Sequence, residues 1–225
     1  MPIKKIKENS TYAKSINGIP KVSQPIDVLA NDYLSKNNSI EKAAKQFVNY
    51  QVAKCTTSGF VTGLGGLITL PVAIPANVSS VMYVQIRMIA CLAYIGGYDT
   101  NSDQVQTLVY ACLAGISIDQ IIKQAGIKFG TKFTTAMVKK IPGTVLTKIN
   151  QKVGFRFLTK FGEKGIINIV KLVPVVGGVI GGGFDLVETK VIANRAYKMF
   201  IKGDFSALDD KDDDEIIDVD IDNIE

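Results

Sequence analysis

From Cys55 to Ile86 the chain runs for 32 residues without a charged side chain, and as far as Tyr98 it carries only one, Arg87. A segment this apolar has to be enclosed by protein or by lipid, since about 20 such residues already span a bilayer. Its make-up argues against a plain span. It holds Gly59, Gly63, Gly65 and Gly66, and its most apolar part, residues 66 to 76, is interrupted by Pro71 and Pro75. Proline breaks or kinks a helix, whereas glycines at a GxxxG spacing (Gly59 and Gly63) let two backbones approach closely. Three readings stand: a buried core hairpin, an interfacial or re-entrant hairpin, and a true span. A re-entrant segment must satisfy its freed backbone groups inside protein. A second motif of the same plan, LVPVVGGVIGGGFD, carries Pro174 and the GxxxG pairs Gly177/Gly181 and Gly178/Gly182, so the two could pack on each other.

The rest of the chain reads as helices. Asn38 is a candidate N-cap with Glu41 three residues on, opening a helix through Ala43, Phe47, Val48 and Val52. A long helix from about residue 77 ends at Gly96-Gly97. Another starts after Asp99 with Thr100 as cap. Ser117 to Gln120 reads as a capping box that opens a helix through Phe129, Phe133 and Met137, closed by Pro142 and Gly143. Helices from about 144 to 162, from about 165, and from about 185 to 202 follow. No stretch alternates outside the C-terminal tail. With 225 residues, 47% hydrophobic and 21% charged, the expectation is an all-α fold: a single helical domain of seven or eight helices over 38–203. It carries two Pro/Gly-rich apolar hairpins, an N-terminal arm (1–37) with little regular structure, and a disordered acidic tail (204–225).

Charge is strongly divided. The tail from Asp204 holds 11 acids and one base, while residues 1–203 hold 25 bases and 10 acids. The densest basic zone, Lys123 to Lys171, has 11 bases and one acid, Glu163. Within it Lys148, Lys152, Arg156, Lys160 and Lys164 recur every fourth residue, beside Ile149, Val153, Phe157 and Phe161. Four-residue spacing puts each set along one side of a helix. A basic stripe beside an apolar one suits a helix lying in a lipid interface, though an ordinary amphipathic helix shows it too. Lys128, Lys132, Lys139 and Lys140 repeat the pattern around Phe129, Phe133 and Met137. The expected partner is an anionic membrane surface or a membrane protein. Nucleic acid is disfavoured: no recognition motif accompanies the charge, and the tail would repel phosphates. The tail could instead fold back on the basic body, or recruit a basic partner to a soluble interaction module.

Enzymatic chemistry is not expected. The chain has no His and no Trp, which removes imidazole catalysis and His metal sites. Cys55, Cys91 and Cys112 are far apart and too few for a disulfide scaffold or a Cys-only zinc site. There is no phosphate-binding or dinucleotide-binding glycine motif. Ser39 and Lys42 match a serine–lysine spacing that the helix start already explains. Asp210, Asp212 and Asp214 begin a calcium-loop pattern that fails at Glu215 and Ile221. No cofactor or metal is expected. Arg87 and Asp185 sit in apolar surroundings and invite a buried ion pair. The N-terminal MPIKKIKENS has no apolar run after its bases, so a cytoplasmic protein at the inner face of the membrane is expected.

Several pieces together resemble the EcsC protein family of bacteria: TSGFVTGLGGLITLPVAIP, VQIRMIACLAYIGGYD, LAG at 113–115, INQKVGFRFLTKFGEKG, VPVVGGVIGGGFD and VIANRAYKMF. They span about residues 40 to 202. The family's first hairpin often carries an acid between the two prolines, where this chain has Ala73. The resemblance implies a membrane-associated helical protein at the cytoplasmic face, since the family's namesake is encoded beside an ABC transporter. It implies no catalytic or cofactor residues.

Overall fold

Helix α4, Val78–Ile95, lies at the centre of the fold. Every residue from Met88 to Ala93 is buried, which an amphipathic surface helix cannot achieve and a helix covered on all sides must. The computed structural model describes residues 11–21, 23–56, 78–127, 132–161 and 180–205, with side chains described for all of these except 53–56, 78–81, 157–161 and 180–188. Around α4 pack α1 (Thr11–Asn17), α2 (Ile26–Lys36), α3 (Ile40–Thr56), α5 (Asp103–Ala114) and α9 (Ile180–Phe200). Helices α6 (Asp119–Gln124), α7 (Thr135–Lys139) and α8 (Gly143–Phe161) complete the set, with α8 lying against α5 and α6. The fold is all-α: among the described residues there are nine helices and no strand, one isolated bridge joining Ile19 to Ser23.

The described end of the uncharged run, from Met82 onward, therefore belongs to the core. The hairpin residues Gly59, Gly63, Gly65, Gly66, Pro71, Pro75, Pro174, Gly177 and Gly178 lie outside the described residues, as does the chain after Phe205. Gly181 and Gly182 fall in the first turn of α9, which begins five residues earlier than the periodicity indicates.

Three local expectations need correcting. The first concerns the N-terminal arm, where α1 and α2 form and bury Tyr12, Ala13, Ile16, Ile26 and Ala30. Their prolines and Gly18 punctuate the helices rather than prevent them. The second concerns caps: Ser39, not Asn38, accepts the Lys42 N–H at 3.2 Å, and Ser102, not Thr100, accepts the Val105 N–H at 3.3 Å. The third is the helix expected from Ser117 through Met137, which stops at Gln124. The Ser117 hydroxyl turns to the Asp119 carboxylate (2.5 Å) instead of capping. Gly126, at φ +77°, then supplies the left-handed residue that ends the helix. The next described helix, α7, is capped by the Thr134 hydroxyl. Within 38–203 the described helices number seven, α3 to α9, in line with the expected seven or eight.

Two glycines fix how elements meet. Gly97, at φ +81°, closes α4, with Tyr98 N–H returning to the Ala93 carbonyl at 3.0 Å. Beside it, a Cβ on Gly96 would run into the carbonyl oxygen of Phe200, so the C-terminal ends of α4 and α9 approach as closely as a hydrogen allows.

Candidate functional site

Helix α8 starts directly after Pro142, whose carbonyl accepts the N–H groups of Val145 (2.9 Å) and Leu146 (3.1 Å). Its inward row is Val145, Leu146, Ile149 and Val153, all buried. The outward row is Lys148, Lys152 and Arg156, all exposed. Four-residue steps separate the three cations by about 6 Å of helix rise each. Phe155 stands among them and is 70% exposed, an unusual position for a phenyl ring.

Across from this row, Ile116, Ile121 and Gln124 form a second wall. The two walls enclose an open groove of about 680 Å³, with Lys148, Gln151, Lys152, Phe155 and Arg156 on the α8 side. The groove thus has one cationic and aromatic wall and one largely apolar wall.

Its electrostatics are one-sided. Between Asp119 and Glu163 the sequence has nine bases and no acid. Asp119, on α6, is already engaged by the Lys123 ammonium at 3.0 Å and by Ser117. Burial works to raise the Asp119 carboxyl pKa, but the Ser117 and Lys123 hydrogen bonds, the Gln120 N–H and the Lys123 charge outweigh it. The result lies below the ordinary carboxylate value. Among the described residues neither Lys148 nor Lys152 has an ion-pair partner. None of the lining side chains is a carboxylate, thiol or hydroxyl, so the groove's chemistry suits an anion with an apolar portion.

Lys132, Lys139 and Lys140 do not extend this row. Lys132 is exposed in the segment before α7, Lys139 sits in the last turn of α7 and Lys140 is its C-cap. The break at Gly126 prevents them from sharing one helix face. Lys128 and Lys164 lie outside the described residues, and Lys160 is on α8 with its side chain undescribed. Sequence reasoning missed Phe155, because it lies off the i, i+4 row of Phe157 and Phe161, whose side chains are outside the described ones. It also missed the opposite wall, which only the packing of α6 beside α8 creates.

Arg87 has a structural task. Its Nη1 donates to the Ser15 carbonyl at 3.0 Å and its Nη2 to the Gln24 carbonyl, so one guanidinium braces α1 and the lead-in to α2 against α4. The Asp185 side chain lies outside the described ones, and with it the expected Arg87–Asp185 pair.

Cys91 and Cys112 are buried, and that burial pushes both thiols up to about 12. They are protonated at neutral pH and inert as nucleophiles. Among the described residues no three His, Cys, Asp or Glu side chains cluster to hold a metal, and no helix is both long and apolar enough to cross a membrane. A smaller polar feature lies in the helices α3 and α9, where Asn49 Oδ1, Asn194 Oδ1 and the Tyr197 hydroxyl are buried and have no hydrogen-bond partner among the described residues.

The family model of the EcsC protein family matches residues 38–202. This chain belongs to the EcsC protein family. The match covers α3 to α9 and includes both glycine–proline motifs, the groove and Arg87. No curated protein and no solved structure gives a significant match. Helices α1 and α2 precede the matched stretch and are nonetheless packed into the EcsC core through Tyr12, Ser15 and Arg87. The Tyr12 hydroxyl donates to the Thr100 carbonyl at 2.8 Å and the Ser15 hydroxyl to the Tyr83 carbonyl at 3.3 Å.

Proposed function

We propose that this EcsC protein is a non-enzymatic module that docks reversibly on an anionic membrane surface, at the cytoplasmic face of a bacterial membrane, through the groove-bearing side of α8. Lipid head groups, or a membrane protein such as a transporter, are its partners. One observation carries the reading: Lys148, Lys152 and Arg156 stand exposed in a row with Phe155, itself 70% exposed, among them.

Magnitudes decide what kind of docking this is. Three cations near an anionic leaflet contribute about 1 kcal/mol each. Burying one phenylalanine adds roughly 1.5–3 kcal/mol at most. The sum is comparable to the reversible binding of a single acyl chain, on the order of 10⁴ M⁻¹. The groove face alone is therefore a touch-and-release contact, and stable attachment calls for a second one. Under this reading the motifs at 59–75 and 174–182 serve as that second contact.

Flotation with phosphatidylglycerol-rich and with pure phosphatidylcholine vesicles tests the proposal, using the chain ended after Phe205. Binding to the anionic vesicles alone, weakening steeply as salt is raised, is the expected result. Absence of binding to anionic vesicles at low ionic strength refutes it.

A further inference from the structure

The groove fits a particular occupant from within the same chain. The chain is followed to Phe205, whose ring packs on Phe133 at 4.6 Å and on Phe200 at 6.4 Å. Gly203 is tied to the same place, its carbonyl accepting the Phe133 N–H at 2.8 Å. The described chain therefore ends beside Lys132 and α7, and α8 begins eight residues after Thr135. Residues 206–225 hold ten acids and one base. Twenty residues reach up to about 65 Å when extended, whereas the groove cations lie within about 20 Å of the first residue of α8 along its axis.

Charge alone would make the contact diffuse, but the spacing gives it a register. Asp218, Asp220 and Asp222 alternate with Ile217, Val219 and Ile221. In an extended strand alternate side chains point to opposite sides, and like residues repeat every 6.6 Å or so. Lys148, Lys152 and Arg156 repeat every 6 Å or so along α8. A strand lying in the groove would set its three aspartates against the cationic wall. The mismatch of about 0.6 Å per step is absorbed by flexible lysine stems. Its three aliphatic side chains would then face Ile116 and Ile121 on the other wall.

We propose that the acidic C-terminal segment occupies this groove as an extended strand and competes with anionic lipid for it, so that the membrane contact is autoinhibited. The proposal rests on the membrane reading for its consequence, but not for the contact itself.

The absence of tryptophan allows a direct test. Phe155→Trp places one indole at the groove's rim. At low ionic strength acrylamide should quench it less in the full chain than in the chain ended after Ser206. A peptide of residues 207–225 added to the shortened chain should restore the protection, and high salt should remove it. The D218N/D220N/D222N full chain should behave as the shortened one. Equal quenching of full and shortened chains overturns the inference. The same proteins are then mixed with phosphatidylglycerol vesicles, where the shortened chain should bind on the order of tenfold more tightly, the worth of three exposed ion pairs. Protection in the full chain without vesicle binding by the shortened one would sustain the strand and refute the membrane reading. Vesicle binding with equal quenching would do the reverse.

Discussion

Arg87→Ala should loosen the N-terminal helices before it unfolds the rest. The guanidinium gives one hydrogen bond to the Ser15 carbonyl, in a fully buried residue, and one to the Gln24 carbonyl at the surface. A hydrogen bond to a charged group contributes about 1.5–3 kcal/mol net when buried. The Gln24 contact is solvent-screened, so its share falls toward the surface value of about 0.2–1 kcal/mol. The expected loss is therefore about 2–4 kcal/mol, a large fraction of a domain's total stability. Arg87→Lys should recover little, because one ammonium cannot reach two carbonyls that the forked guanidinium spans with separate nitrogens. Urea unfolding followed by circular dichroism gives the total. Amide exchange localises it, with protection in residues 11–36 falling first. A loss below about 0.5 kcal/mol, the range of an ordinary surface substitution, or unchanged exchange in α1 and α2, would refute the bracing role.

Two glycines should respond in opposite directions. Gly96→Ala drives a methyl into the Phe200 carbonyl and should cost about 1–3 kcal/mol by overpacking. Gly154→Ala, in the open middle of α8 where an added Cβ meets nothing within 4 Å, should stabilise by about 0.5–1 kcal/mol. Thermal or urea melts of both variants distinguish the signs. Alkaline pH should destabilise the fold through its buried thiols. The folded chain holds the Cys91 and Cys112 protons up to about 12, while the unfolded chain releases them near 9. Stability is then full below pH 9 and falls toward pH 12 by up to about 1.4 kcal/mol per unit for each thiol. A C91A/C112A chain should show a shallower decline in urea melts taken across that window. Half-buried Tyr33 and buried Tyr98, held up to about 12, account for part of what remains.

Much of the fold was legible because helix periodicity and glycine stops are local. The stop of α4 at Gly96-Gly97 and the extent of α8 followed from such cues, since both are set by residues within one turn. The caps were less legible because Asn38 and Ser39, or Thr100 and Ser102, offer rival oxygens within two residues, and backbone geometry chooses between them. Helices α1 and α2 were hidden by their prolines and by being stabilised from outside, through Arg87 of α4 and the buried Tyr12. Half of the candidate site could be read. The Lys148–Lys152–Arg156 row is a spacing, whereas the Ile116 and Ile121 wall exists only because the break at Gly126 lets α6 turn beside α8.

The most direct test of the central claim compares two charge reversals of equal size. K148E/K152E/R156E changes the groove face, and K14E/K42E/K45E changes exposed positions on α1 and α3 by the same six charges. Both are made in the chain ended after Phe205 and titrated with phosphatidylglycerol-rich vesicles at fixed ionic strength. The account predicts that reversing the groove lowers binding to the level seen with neutral vesicles, while the control keeps most of its affinity. Equal losses in the two proteins would mean that net charge, and not this face of α8, governs whatever attraction there is.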